Sequence, residues 1–118
     1  MVDVVNEVIQ NLINNGYLND DRFTKAYIKD KMAFTSKGDY KIRMELSNLG
    51  IDNSIIDNNI LMIDNGMLIN KMKKIIDKDI KNNKKYNGSE LRNKIYNHLI
   101  SQGYSKEKVI NIINTYDF

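Results

Sequence analysis

Apolar residues recur at spacings of three and four along this chain, with polar residues between them, and the rhythm predicts helices only. Val5, Val8, Ile9, Leu12 and Ile13 share one face of a first helix over residues 3–15. Asn14-Asn15-Gly16 is expected to end it, with Gly16 suited to a left-handed C-cap. Asn19-Asp20-Asp21 then starts a second helix, where a capping side chain and first-turn carboxylates satisfy orphan N–H groups and suit the positive helix end. Its buried stripe reads Phe23, Ala26, Tyr27 and Phe34, and Ser36-Lys37-Gly38 breaks it. A third helix buries Ile42, Leu46 and Leu49 and stops at Gly50. Asp52 caps a fourth, with Ile55, Ile56, Ile60 and Ile63 facing in. Asn65-Gly66 separates it from a fifth, which uses Leu68, Met72, Ile75, Ile76 and Ile80. A polar stretch from Asn82 to Gly88 leads to a sixth, with Leu91, Ile95 and Leu99, closed by Gly103. Ser105 caps a seventh carrying Val109, Ile112, Ile113 and Tyr116. No strand-like alternation is present.

Set against itself at an offset of 53, the chain repeats. Lys41 meets Lys94, Ile42 meets Ile95, Leu46 meets Leu99 and Gly50 meets Gly103. Ile56 then meets Val109 and Ile60 meets Ile113; further back, Phe23 meets Ile76, Lys25 meets Lys78 and Tyr27 meets Ile80. A period of this size signals stacked supersecondary units, each too small to bury its own apolar face. The expected fold class is therefore all-α, with tandem three-helix repeats forming an elongated helical array. Residues 1–16 read as a leading helix, the remnant of a preceding repeat or an N-terminal cap; residues 17–66 and 67–118 read as the two three-helix repeats. Arrays of this kind present long surfaces and are far more often binding proteins than enzymes.

Composition narrows the setting. The 118 residues suffice for one ordinary domain or a few tiny ones, and 42% hydrophobic residues suffice for a core. There is no cysteine, hence no disulfide and no thiolate metal site, which fits a reducing compartment. The N-terminus lacks a basic start followed by an apolar run, and no stretch approaches the roughly 20 apolar residues of a membrane span. A cytoplasmic protein with no membrane association is expected. Proline is absent, so nothing covalently breaks a helix.

Charge is unevenly placed. Residues 1–66 carry seven Lys/Arg against ten Asp/Glu, net −3, whereas residues 67–118 carry eleven against five, net +6, giving the overall +3. Lys71, Lys74, Lys78, Lys81 and Lys85 are spaced by three and four and fall on one side of the fifth helix, away from Met72 and Ile76. Arg22, Lys25 and Lys29 do the same opposite Phe23 and Tyr27. Since Lys25 and Lys78 are matched by the repeat, the two stripes are expected on related faces. Lys37, Lys41 and Arg43, around the third helix, are further candidates; Lys41 is equally placed to pair with Glu45 four residues on. Two readings stand side by side at this point: a solvated basic face, normal for an amphipathic helix in a Lys-rich chain, or a partner-facing surface. Acidic protein would use such a face for steering and register, and nucleic-acid phosphate would displace counterions from it. Phe23 and Tyr27 fall on the apolar stripe and are expected in the core, not as a platform for bases. No helix shows a cluster of Arg, Asn and Gln suited to reading base edges.

Catalysis finds little support. His98 is the only histidine and lies beside the Ile95/Leu99 stripe, a boundary position. Asp20-Asp21 and Asp77/Asp79 read as cap and helix-face charges. The six glycines read as punctuation and form no phosphate loop. Met44 is a mild candidate for a soft protein contact. The chain is expected to be a non-enzyme without metal or cofactor.

The spelling between the helices carries a resemblance. Gly16-Tyr17-Leu18-Asn19-Asp20-Asp21-Arg22-Phe23 followed by Ala26-Tyr27-Ile28 resembles the RecX family of RecA regulators. So do Ser36-Lys37-Gly38, Lys41-Ile42-Arg43 with Glu45-Leu46, and Gly50-Ile51-Asp52. Leu91, Lys94-Ile95-Tyr96, Leu99 and Gly103-Tyr104 resemble the last repeat of that family. The likeness covers nearly the whole chain. It departs in that most of the usual first repeat is absent, and in Asp39, where the family often has proline. The resemblance implies a protein that binds the RecA filament, lies along its groove and restrains its ATPase, extension and strand exchange, and so affects recombination, DNA repair and the SOS response. It favours the partner-facing reading of the basic stripes, with single- or double-stranded DNA phosphates as an additional contact and a monomer as the state of the chain. A general nucleic-acid-binding helical module is the alternative. A scaffold for an unrelated acidic partner is the third reading.

Overall fold

A computed structural model describes residues 2–118, with the side chains of residues 2–6, 9, 12 and 13 left out. It contains six helices: α1 (Val2–Phe34), α2 (Asp39–Asn48), α3 (Asn53–Ile60), α4 (Asn65–Asn82), α5 (Gly88–Ser101) and α6 (Lys106–Ile113). The described residues form no strand, and the all-α expectation holds. α1 packs on α3 and α2, while α4 packs on α5 and α6. The body measures 74 × 21 × 21 Å with a radius of gyration of 19.4 Å. A compact domain of this length would have about 13 Å.

One helix fewer is present than the pattern predicts. α1 runs without a break through Asn14-Asn15-Gly16, so Gly16 is not a cap and Asn19-Asp20-Asp21 do not start a helix. A glycine inside a helix costs only about 1 kcal/mol. No atom within 4 Å of the place of a Gly16 Cβ forces a turn there. Of the first predicted stripe, Val8 is exposed, and the side chains of Val5, Ile9, Leu12 and Ile13 lie outside the described residues.

The buried face of α1 is also rotated by about one residue. Thr24, Ile28 and Met32 are buried and Tyr27 is half-buried, whereas Phe23 is 47% exposed and Ala26 and Phe34 lie outside the core. The partner helix explains this choice. Buried Asn59 of α3 donates its Nδ2–H to Asp21 Oδ1 and to the Ile55 carbonyl, both at 2.8 Å. Asp21, Thr24 and Ile28 share the helix face that this bond turns toward α3. Asp21 is thus a cross-link within a helix and not a first-turn charge. Thr24 is fully buried, and its hydroxyl oxygen finds no hydrogen-bond partner.

The rotation changes the internal repeat. The offset of 53 holds through the later helices: Ile42 and Ile95, Leu46 and Leu99, and Ile56 and Val109 are all fully buried. For the first helices the buried positions match at 48. Thr24, Ile28 and Met32 correspond to Met72, Ile76 and Ile80, and Tyr27 corresponds to Ile75. The ends agree as well: Thr35 Oγ1–H donates to the Lys31 carbonyl as Asn83 Nδ2–H donates to the Asp79 carbonyl. The extra five residues lie in a linker longer by one and in α5, which has 14 residues where α2 has 10. Lys25 therefore corresponds to Lys73 and not to Lys78, and Phe23 corresponds to Lys71.

Elsewhere the pattern holds with small changes. Asp52 caps α3 by accepting from Ser54 N–H, and Ser105 caps α6 by accepting from Lys108 N–H. Asn65-Gly66 belongs to the first turn of α4, capped by Asp64, and does not separate elements. Leu68, Met72, Ile76, Leu91, Val109, Ile112 and Ile113 are buried; Ile60, Ile63, Ile75, Ile80 and Tyr116 pack at the core's edge. Leu49 is 57% exposed. One apolar cluster runs from Ile28 to Ile113 through both sets of helices.

The two sets join end to end. Gly103 follows α5 at φ +91° in a Schellman turn, with Tyr104 N–H donating to the Leu99 carbonyl and Gly103 N–H to the Ile100 carbonyl. The start of α2 docks on that turn. Gly38 N–H donates to the Gln102 carbonyl at 2.8 Å, and Tyr40 and Lys41 N–H donate to the Gly103 carbonyl at 2.9 and 3.3 Å. The helix-start donors of α2 thereby satisfy carbonyls just past the end of α5, and the positive end of one helix meets the negative end of the other. The approach leaves no room for a side chain: a Cβ on Gly103 would lie 2.2 Å from Lys41 Cβ, and one on Gly38 would lie 2.5 Å from the Gly103 carbonyl oxygen. Gly50 makes the same turn at φ +87°, but nothing lies within 4 Å of the place of its Cβ.

Truncation of Leu46 or Leu99 to Ala should each cost about 2–5 kcal/mol, as for buried leucines in general. Gly50→Ala should cost only the strain of a positive φ, about 1–2 kcal/mol. Gly103→Ala should cost clearly more, because it also separates α2 from α5. Urea unfolding of the four variants checks both orders; equal losses at Gly50 and Gly103 would contradict the close packing at the junction.

Candidate partner-binding surface

The cations named from the sequence divide into two groups once packing is known. One group is engaged inside the protein. Lys25 pairs with Asp21 at 2.6 Å along α1, Lys37 pairs with Glu45, and Arg43 of α2 pairs with Asp57 of α3. The Lys71 ammonium reaches across the junction to the Lys37 carbonyl at 2.6 Å and lies 3.7 Å from Met32 Sδ. Lys41 contributes its backbone N–H to the junction, and its expected partner Glu45 is taken by Lys37 and by the Tyr27 hydroxyl. The other group is open. Among the described residues, Arg22, Lys29, Lys74, Lys78, Lys81 and Lys85 are exposed and form no ion pair.

The engaged groups have shifted acidities that report their surroundings. Burial pushes the Lys71 ammonium down from its ordinary value, partly opposed by Asp39. Burial raises the Glu45 carboxyl, but bonds from Lys37 and Tyr27 and the charges of Lys37 and Lys31 outweigh it and leave the group below its ordinary value. Burial, aided by Glu45, pushes Tyr27 up to about 12; burial, aided by Asp39, does the same for Tyr104. The Tyr104 hydroxyl donates to the Ser36 carbonyl at 2.9 Å, and Lys108 pairs with Asp39 at 2.6 Å. Asp39 is thus a junction residue as well as the start of α2.

Two of the open cations, Lys29 and Lys74, border two adjoining hollows. The first, about 340 Å³, lies between α1 and α3 and is lined by Lys25, Lys29, Met32, Met62, Ile63 and Met67 among others. The second, about 490 Å³, continues past the same Met32 and Met67 to Lys71 and Lys74 of α4. Lys25 and Lys29 of the α1 stripe and Lys71 and Lys74 of the α4 stripe therefore border one groove, although not as the repeat equivalents that the sequence suggests. Sequence reading missed the methionines of this groove, because Met62 and Met67 fall at a helix junction where periodicity is silent. Lys78 and Lys81 continue along α4 beyond it, whereas Lys85, expected on the same helix, lies in the linker because α4 ends at Asn82. Phe23, expected in the core, is instead an exposed ring 5.8 Å from the Tyr27 ring. His98 pairs its Nδ1 with Asp79 at 2.6 Å, and Tyr116 donates to Asp77, so these acids serve local contacts. Met44 is exposed on α2. No described helix is long and apolar enough to cross a membrane.

Two outcomes follow. Lys71→Gln should lower stability by about 1 kcal/mol or more, because a partly buried charged donor to Lys37 is lost, whereas Lys74→Gln, Lys78→Gln and Lys81→Gln should stay within about 0.5 kcal/mol of wild type. Glu45 has a folded acidity below its ordinary value of 4.5, so its contribution is present above that pH and is lost as pH falls through the depressed value. Glu45→Gln should therefore flatten the acid side of the stability profile, read by denaturant unfolding between neutral pH and pH ~3; an unchanged acid slope would contradict the role of Lys37 and Tyr27.

Comparison with known proteins matches this geometry to a family. The profile described as "RecX, second three-helix domain" matches residues 19–58. "Regulatory protein RecX" of Clostridium beijerinckii is 32% identical over 111 residues, covering 92% of this chain and 51% of that protein. The protein of the same name from Finegoldia magna is 30% identical over 121 residues, covering 97% and 57%. This chain thus spans about half the length of these curated relatives. The crystal structure of RecX from Lactobacillus salivarius has the same fold, with a TM-score of 0.81 at 24% identity over 98% of this chain and 75% of that one. Helical units joined end to end, and a sequence shared with these regulators along nearly its full length, make this chain a member of the RecX family of regulatory proteins.

Proposed function

We propose that this protein regulates the RecA recombinase by binding its DNA-bound filament in the cytoplasm, and that binding restrains ATP hydrolysis, extension and strand exchange. Membership in a family of regulatory proteins supports this reading, as does the form of the molecule. A rod 74 Å long and 21 Å across suits a polymer with a repeating groove better than it suits a small ligand. The units proposed along that rod are residues 17–66 and 67–118, preceded by residues 1–16, with α1 and α4 running unbroken across the two boundaries. The observation that carries the reading furthest is the set of open cations, Arg22 and Lys29 on α1, Lys74, Lys78 and Lys81 on α4, and Lys85 in the linker that follows. They hold nothing inside the protein and are free to meet acidic protein or phosphate. Lys25 and Lys71 border the same surface; Lys37, Lys41 and Arg43 contribute to it only through parts not already engaged at the junction and on α3. No reaction is assigned: the function is regulation by binding.

A titration tests this directly. RecA ATPase on single-stranded DNA at fixed salt should fall at substoichiometric protein, and the filament should bind the protein more tightly than bare DNA does. Equal affinity for bare DNA would support a general nucleic-acid module instead, and no effect on RecA of the same organism at saturation would remove the recombinase reading. Replacing Lys74, Lys78 and Lys81 by Gln should slow association and flatten its salt dependence while leaving the melting temperature nearly unchanged. Wild-type binding by this variant at low salt would move the contact surface elsewhere.

A further inference from the structure

We propose that the methionine-floored groove between α1 and α4 takes an acidic amphipathic helix of a protein partner. This goes beyond the recombinase reading and does not depend on it. The floor combines buried Met32 with Met62, which is 78% exposed, and half-exposed Met67. Thioether chains are unbranched and polarizable and repack around varied apolar side chains, so exposed clusters of them suit helix-in-groove recognition. The rim is basic on both long sides, with Lys25 and Lys29 on α1 and Lys71 and Lys74 on α4. The one carboxylate among the lining residues, Asp64, is directed to the Gly66 N–H at 2.9 Å as the cap of α4. Lys29 borders the first hollow and Lys74 the second, and neither forms an ion pair among the described residues. An occupant that satisfies both parts carries apolar residues on one face and acids at its flanks. Along α1 the groove runs from Lys25 to Ala33, about 12 Å at the helical rise, which matches apolar anchors spaced i, i+4 and i+7 on a docked helix. Nucleic acid fits less well. Phosphates would gain from the lysines but nothing from the thioethers, and the floor holds no aromatic ring on which a base could stack.

Methionine-methyl NMR of the whole chain tests this with a synthetic helix of about four turns carrying leucines at i, i+4 and i+7 and glutamates at its flanks. The methyls of Met32, Met62 and Met67 should shift, and that of Met44, exposed on α2 outside the groove, should not. A peptide of equal charge with alanines in place of the leucines should leave all four unmoved. The doubly exposed change Lys29→Glu with Lys74→Glu, which removes no internal contact, should weaken binding about tenfold, and Met62→Ser with Met67→Ser should weaken it by a similar factor. The proposal is overturned if the leucine peptide at millimolar concentration shifts none of the three methyls, or if the alanine peptide shifts them equally. It is also overturned if a single-stranded oligonucleotide shifts the same methyls and displaces the peptide, which would assign the groove to nucleic acid. RecA regulation without peptide binding would remove only this proposal; peptide binding without RecA regulation would remove only the recombinase reading.

Discussion

The carbonyl of Gly103 accepts the first N–H groups of α2, and the elongated form depends on this contact. Neither set of three helices is held to the other by a broad apolar face alone. They meet where a left-handed glycine exposes the end of α5 and the uncapped start of α2 supplies the donors. Each partner would otherwise leave polar backbone groups without a bond at a buried point. The opposed helix ends add an electrostatic term of the same sign. Beside this centre, Lys108–Asp39, Tyr104–Ser36 and Lys71–Lys37 add side-chain contacts across the junction. Their function is angular: a short axial joint needs such struts to keep a 74 Å body from pivoting.

The same joint decides which cations are available. A lysine counted on a helical wheel looks alike whether it meets solvent or a neighbouring carbonyl. Lys71 and Lys74 sit one turn apart on α4, yet the first spans the junction and the second is open. Lys37 and Arg43 are likewise drawn into pairs with Glu45 and Asp57, leaving the charge of the surface concentrated on Arg22, Lys29 and the later part of α4. Internal pairs of this partly exposed kind contribute little net stability. Their stronger effect is to fix where the remaining positive charge stands.

Family membership and the shape of the molecule address different questions. The shared sequence places the chain among regulatory proteins, and the shared fold explains how a small chain presents a long surface. The methionines at the α3–α4 turn belong to neither argument. Exposed apolar side chains grouped beside unpaired lysines have the character of an interaction patch.

The sequence alone determined the helical class, the α2–α3 and α5–α6 pairs and their core positions, because a period of three and four leaves few ways to bury Ile42, Leu46, Ile95 and Leu99. It also determined the turns at Gly50 and Gly103, which require a positive φ that other residues adopt only with strain. The tertiary structure decided what local patterns leave degenerate. Gly16 could end a helix or continue one, and only the absence of a packing demand made α1 continuous. Phe23 and Ile28 both lie on plausible apolar stripes, and the bond from Asn59 to Asp21, between residues 38 apart, chose the face that buries Ile28. The shift from an offset of 53 to one of 48, and with it the relation between the two basic stripes, followed from that rotation. The groove of Met32, Met62 and Met67 was invisible along the chain because its walls come from three helices, and their proximity is set by long-range packing that no local period encodes.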